Sequence, residues 1–260
     1  MPSPRQFAVV QKDLTSPTPD QVKNAFRAFN NLTEADAVRL AVGAHGILMR
    51  QLPHDAARAF QQSLQAEGVQ AAIVAEDELP KLPEARVLHR LELKPEALSV
   101  YDLMGRATPI SWDMLALVAA ASVRHFEVSR MQTERTVMGF SPVVGVWPKK
   151  VTESGPKVES DSQMLLEILL ADGTTRYQID AAHFPFNYVI DRPGLSTSEK
   201  YVWLVQEICR RSPRAMLNAG ARWLRAGHEP LPDYASRQAL TDEMIWLLWQ
   251  AGEKKRTAPL

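Results

Sequence analysis

Asp180 and His183 stand three residues apart at the head of an aromatic stretch, DAAHFPFNY (Asp180 to Tyr188). A carboxylate that orients an imidazole is the usual core of general acid–base chemistry, and the neighbouring rings could line a pocket. The simpler reading is a loop packed onto neighbouring strands. The other histidines, His45, His54, His89, His125 and His228, have neither H-x-x-x-H nor H-E-x-x-H spacing. His89 is expected on the inward face of a strand, as a satisfied core histidine. No G-x-S-x-G, G-x-x-x-x-G-K-[ST] or G-x-G-x-x-G occurs. Cys209 sits beside Arg210 and Arg211, which could lower a thiol pKa. It also falls one residue past the stripe of an expected helix, so a structural role is expected. The sequence therefore predicts no catalytic residue, no metal, no nucleotide and no other cofactor.

Composition narrows the class. The 260 residues carry 30 basic and 30 acidic side chains, which argues against a nucleic-acid backbone or an anionic membrane as the main partner. Lys149 and Lys150 after Trp147 are too few for a nucleic-acid stripe. One cysteine excludes an intrachain disulfide and a four-cysteine zinc site. The start, MPSPRQFAVVQKD, has four apolar residues in a row, short of the roughly seven to fifteen of a secretory signal. No run approaches the ~20 apolar residues of a membrane span. A cytoplasmic protein without an integral membrane segment is expected.

The elements that would position any site begin with FAVV (Phe7 to Val10), a short buried-strand candidate. Val22, Ala25, Phe26 and Phe29 then make one face of a helix. Thr33 caps a second helix that Gly43 closes. Residues 46–52 read as a strand. Pro53 opens a third helix with Ala56, Ala57, Phe60 and Leu64 as its stripe and Gly68 at its end. Residues 69–74 close the order strand-helix-helix-strand-helix-strand. Helices must cover one face of three short strands, giving a small α/β sandwich over 1–76 that should fold alone.

The stretch LTEADAVRLAVGAHGILMRQLPHDAARAFQQSLQAEGVQAAIV (Leu32 to Val74) resembles the C-terminal domain of the bacterial large-subunit ribosomal stalk protein. The Clp protease adaptor shares that fold. The likeness lies in element order, in the glycine after each long helix and in the apolar frame. In the stalk family a row of exposed basic residues meets translation factors. Arg27 falls at one of those positions, whereas Pro19, Asn24 and Val38 occupy others. The resemblance thus implies the fold and a protein-recognition role more than the stalk function itself.

Residues 77–86, with two prolines, read as a linker. Beyond them Val87, His89, Leu91 and Leu93 alternate against Leu88, Arg90 and Glu92, as in a strand. Leu98, Val100 and Tyr101 begin a second strand, and Gly105 turns the chain into a third. Residues 114–123 fit a buried strand or a helix, and strand is the reading taken. Residues 129–162 lack clear periodicity and are expected to be an irregular excursion. MLLEILLADGTTRYQID (Met164 to Asp180) reads as a hairpin turning at Asp172-Gly173. Ser196 and Glu199 form a capping box, opening a helix with Tyr201, Leu204, Val205 and Ile208 on its face. The segment LHRLELKPEALSVYDLMGRATPISW (Leu88 to Trp112) is similar to bacterial pleckstrin-homology-like domains. That resemblance implies an antiparallel β-barrel over 87–211, and an α+β protein overall.

Residues 212–260 carry the C-terminal helices, one from Ser212 to Gly227 and one from Leu240 to Gly252. The run Met244 to Trp249 is apolar without a break, so this helix must be buried on more than one side. Docking between the two domains is the expected role. The competing reading makes Trp246 and Trp249 a site for another protein, because tryptophan is typical of binding hot spots. Arg27, from the stalk-like domain, is a separate candidate for partner binding. The function expected is a non-enzymatic protein-binding or adaptor protein. The alternatives are an enzyme with its pocket near Asp180 and His183, and a membrane-peripheral protein using the barrel and the last helix.

Overall fold

The computed structural model describes residues 5–13, 17–30, 46–141, 145–190 and 194–257. Its compact units are 1–123 together with 163–260, and 124–162. Helices and open sheets are mixed, an α+β fold.

The first sheet comprises β1 (Phe7–Gln11), β2 (Ile47–Leu52) and β3 (Ala71–Ala75), ordered β2-β1-β3 with both neighbours antiparallel to β1. Side chains of a strand alternate between faces, so Val9 and Ala8/Val10 enter different apolar clusters. On the Val9 side lie α1 (Pro19–Asn30) and α2 (His54–Ala66). Their stripes are Val22, Ala25 and Phe26, and Ala57, Phe60 and Leu64, all buried. The rings of Phe26 and Phe60 meet at 4.9 Å. Each large side chain so buried contributes roughly 1.5–3 kcal/mol. The helix expected from Thr33 to Gly43 lies outside the described residues.

From residue 85 the chain forms β4 (Ala85–Val87), β5 (Leu91–Leu93), β6 (Ala97–Tyr101), β7 (Ala107–Ser111), β8 (Leu115–Ser141), β9 (Gly145–Leu170) and β10 (Arg176–Asp180). There follow α3 (Thr197–Arg211), β11 (Met216–Leu217), α4 (Ala219–Arg225), β12 (Asp233–Tyr234) and α5 (Arg237–Thr257). The central sheet runs β11-β8-β9-β10-β4, with β12 also on β8, and β5-β6-β7 form a separate antiparallel meander. Among the described residues no sheet closes, so the barrel expected over 87–211 is replaced by two open sheets. The alternation at 87–93 spans that division. β4 pairs parallel with β10, whereas β5 begins the meander. His89 falls between them and is exposed, not a core histidine.

Both faces of the central sheet are covered. Val118, Ala120, Leu166 and Ile168 pack with Tyr201, Leu204, Val205 and Ile208 of α3. Leu117, Ala119, Ala121, Leu165 and Leu169 pack with α5. A strand buried on both faces reads as a continuous apolar run, which is why period alone did not separate strand from helix at 114–123. The backbone at 129–162, expected to be irregular, is strand along β8 and β9 in its described part.

Two turns differ from expectation. Leu170 N donates to Thr175 O (2.9 Å), and Asp172 Oδ1 accepts from the N–H groups of Thr174 and Thr175 (2.9 and 3.0 Å). The hairpin loop is therefore 171–174, longer than a two-residue turn. Ser212 does not start a helix. Its hydroxyl donates to Ile208 O (2.6 Å) at the end of α3. α4 begins later, capped by Asn218, whose Oδ1 accepts from Ala221 N (2.9 Å). The capping box of α3 forms as expected.

Candidate binding surface

The candidate surface is assembled where β4 leaves the central sheet and the β6–β7 turn comes beside it. A cavity of about 270 Å3 is walled there by Arg86, Val87, His89, Tyr101, Leu103 and Tyr177, among others. Its rim mixes exposed apolar groups with the polar side chains of Arg86, His89, Asp102 and Thr108. Val87 is 54% exposed, Leu103 90% and the adjacent Met104 81%.

Local chemistry holds this rim in place. Asp102 Oδ1 accepts from the N–H groups of Met104 and Arg106 (both 2.9 Å), and Oδ2 accepts from Arg106 Nε (2.7 Å). Asp102 N donates to Arg106 O (3.1 Å), and Gly105 N donates to Asp102 O (2.9 Å). Gly105 supplies the left-handed backbone the turn needs, at φ +76°. Hydrogen bonds from the Arg106 backbone and side chain hold the Asp102 carboxyl below the usual aspartate range. Leu103 and Met104 are thus presented to solvent by an ordered turn.

Behind the cavity, Tyr101 covers the Arg90 guanidinium at 4.2 Å, and Tyr188 lies 5.0 Å from the same group. Glu92 pairs with Arg90 at 2.8 Å. Hydrogen bonds from Tyr101 and Arg90 lower the Glu92 pKa, and the Glu92 carboxylate raises that of Tyr101. Arg90 Nε is buried without a hydrogen-bond partner. The stacking, the Arg90–Glu92 pair and the Tyr101–Glu92 hydrogen bond together hold Tyr101 as a wall of the cavity. The arrangement can take up an apolar side chain and offer polar contacts at His89 and Thr108.

Asp180 and His183 are brought together, Oδ2 to Nδ1 at 2.7 Å. The same carboxylate accepts from Gln163 Nε2 (2.5 Å) and Ala182 N (3.1 Å). Burial pushes the Asp180 carboxyl up, but these hydrogen bonds outweigh it and hold it low. The His183 side chain is 81% exposed. Phe184 and Phe186 point into the core and meet edge to face at 5.0 Å. Here the pair closes a turn and Phe184 and Phe186 pack inward, while Tyr188 is exposed. Cys209 is buried, and burial pushes its thiol up to about 11, opposite to activation.

The residues singled out for a partner differ in exposure. Arg27 is exposed near the end of α1. Trp246 is buried and donates Nε1–H to Gln11 O (2.7 Å). Trp249 is half-buried against the same cluster. The signal overlooked in the sequence was Leu103-Met104 directly before Gly105, two large apolar residues in a turn where polar ones are the rule. Among the described residues no cluster of three or more His, Cys, Asp or Glu could hold a metal, and no helix is long and apolar enough to cross a membrane. Comparison with family models, with curated proteins and with solved structures returned no match.

Proposed function

We propose that this is a non-enzymatic recognition protein that docks another protein on the Leu103–Met104 turn and the cavity beside it. The observation that carries the reading is the turn itself. Asp102 commits its carboxylate to backbone N–H groups and so keeps two large apolar side chains in water. Fixing them beforehand lowers the ordering cost of association, and exposed apolar groups beside a pocket are typical anchors. The order β1, α1, β2, α2, β3 supports a stalk-like sandwich as a second recognition module within the same reading. A cytoplasmic setting belongs to the proposal, supported by the single unpaired thiol of Cys209.

The test is affinity capture from the native host with wild-type chain and with a Leu103→Ser/Met104→Ser double variant. A stoichiometric protein partner retained by the wild type and lost by the variant, at equal thermal stability, is the expected result. Equal capture by both chains would refute the site.

A further inference from the structure

A second cavity, of about 360 Å3, opens between β11, α4 and α5. Its floor includes Met216, Leu217 and Leu247, and its rim carries Arg222, Arg225 and Lys254. Met216 and Leu217 belong to β11, the two-residue edge of the central sheet, so among the described residues no further strand covers them on that side. Arg222 and Arg225 are three apart on α4 and therefore neighbours on one helix face. Among the described residues neither makes an ion pair with a carboxylate. Three arginines just before them in the chain behave differently. Arg210 and Arg211 both bond Glu207, and Arg214 faces Asp113. Two guanidinium groups left over at the mouth of a mostly apolar cavity, with Gln250 as its neutral polar lining residue, form a site with one charge sign.

We infer that this cavity binds an anionic amphiphile, a single carboxylate head on an unbranched aliphatic chain. The guanidinium fork matches a planar carboxylate through paired N–H···O bonds. The chain would lie over Met216, Leu217 and Leu247. The volume falls in the range of small-molecule sites, which are mostly apolar with a few placed polar groups. This site is separate from the Leu103–Met104 surface and does not depend on that reading.

The probe is dodecanoate, titrated into delipidated full-length protein below its micellar concentration and followed by calorimetry and native mass spectrometry. Expected are one-to-one binding, at least a tenfold loss of affinity in Arg222→Gln/Arg225→Gln, and no comparable binding of dodecylammonium. Ala251→Trp, which fills the cavity from α5 and leaves both arginines in place, should abolish binding while the protein still melts cooperatively. Ala251 lines the cavity and is only half-buried. The inference is overturned by any of three results: no saturable binding, equal affinity in the double-arginine variant, or binding only to anionic vesicles and not to the monomeric probe.

Discussion

Asn218 does more for this fold than its place in the sequence suggests. It is fully buried. Its Oδ1 accepts from Ala120 N and Ala221 N, both at 2.9 Å. Its Nδ2 reaches Ala120 O (3.0 Å), Tyr234 Oη (2.9 Å) and Glu243 Oε2 (3.2 Å). Glu243, itself buried, also accepts from Tyr234 Oη–H (2.5 Å) and from Ala219 N (2.8 Å). Burial and the adjacent carboxylate push the Tyr234 phenol well above its ordinary pKa, so it stays a donor. One amide thereby satisfies β8, caps α4 and meets α5. The close approach requires Gly220, where a Cβ would stand 2.0 Å from Ala120 O. Asn218→Ala should cost about 2–4 kcal/mol, from a lost cap and buried groups left unpaired. Urea denaturation measures this, and a loss below about 0.5 kcal/mol would mean the network is not holding these elements.

At the scale of elements, the sequence was most informative where one face is buried and a cap marks an end. Val22, Ala25 and Phe26 gave α1, and Ser196 with Glu199 gave the start of α3, because amphipathic spacing and reciprocal capping are local. It was least informative where neighbours from distant chain decide. The 87–93 alternation is one pattern but serves two sheets, and β11 is strand only because β8 lies beside it. The candidate surface was legible only as a turn at Gly105. That Val87 would stand beside it depends on β4 pairing with β10.

A second tertiary contact of this kind joins β2 to α5. Arg50 bonds Glu76 Oε2 (2.7 Å) and Asp242 Oδ1 (2.8 Å), and Gln51 N donates to Glu76 Oε1 (2.9 Å). Burial raises the Glu76 carboxyl, but the bonds from Arg50 and Gln51 outweigh it and leave its pKa lowered. A lowered folded-state pKa contributes stability that is fully present above the ordinary glutamate value of about 4.3. It is lost as pH falls through the folded value. Glu76→Gln should therefore melt below wild type at pH 7, with the gap closing as pH falls below about 4. A gap independent of pH would assign the contact to packing instead of charge.

Across the whole molecule, α5 is the piece that the first and central sheets both need. Ala8, Val10, Ile47 and Val74 of the first sheet share one apolar cluster with Leu117, Ala119 and Leu165 of the central sheet, and with Met244, Trp246 and Leu247 of α5. The indole of Trp246 lies against Gly46, which has φ +74° and where a Cβ would stand 2.3 Å from the ring. Trp246 Nε1 and Gln250 Nε2 both donate to Gln11 O, at 2.7 and 3.1 Å, so the helix also satisfies the end of β1. Trp246→Ala should cost about 3–5 kcal/mol, the range for emptying a buried aromatic site. Gly46→Ala should be strongly destabilising as well, since it meets both the ring and a left-handed backbone. Trp249→Ala, at a half-buried position, should cost clearly less than Trp246→Ala. Thermal melts and urea midpoints of the three variants rank these effects. If Trp246→Ala combined with Trp249→Ala left the midpoint unchanged, α5 would not be docked here, and its apolar face would become a surface for a partner.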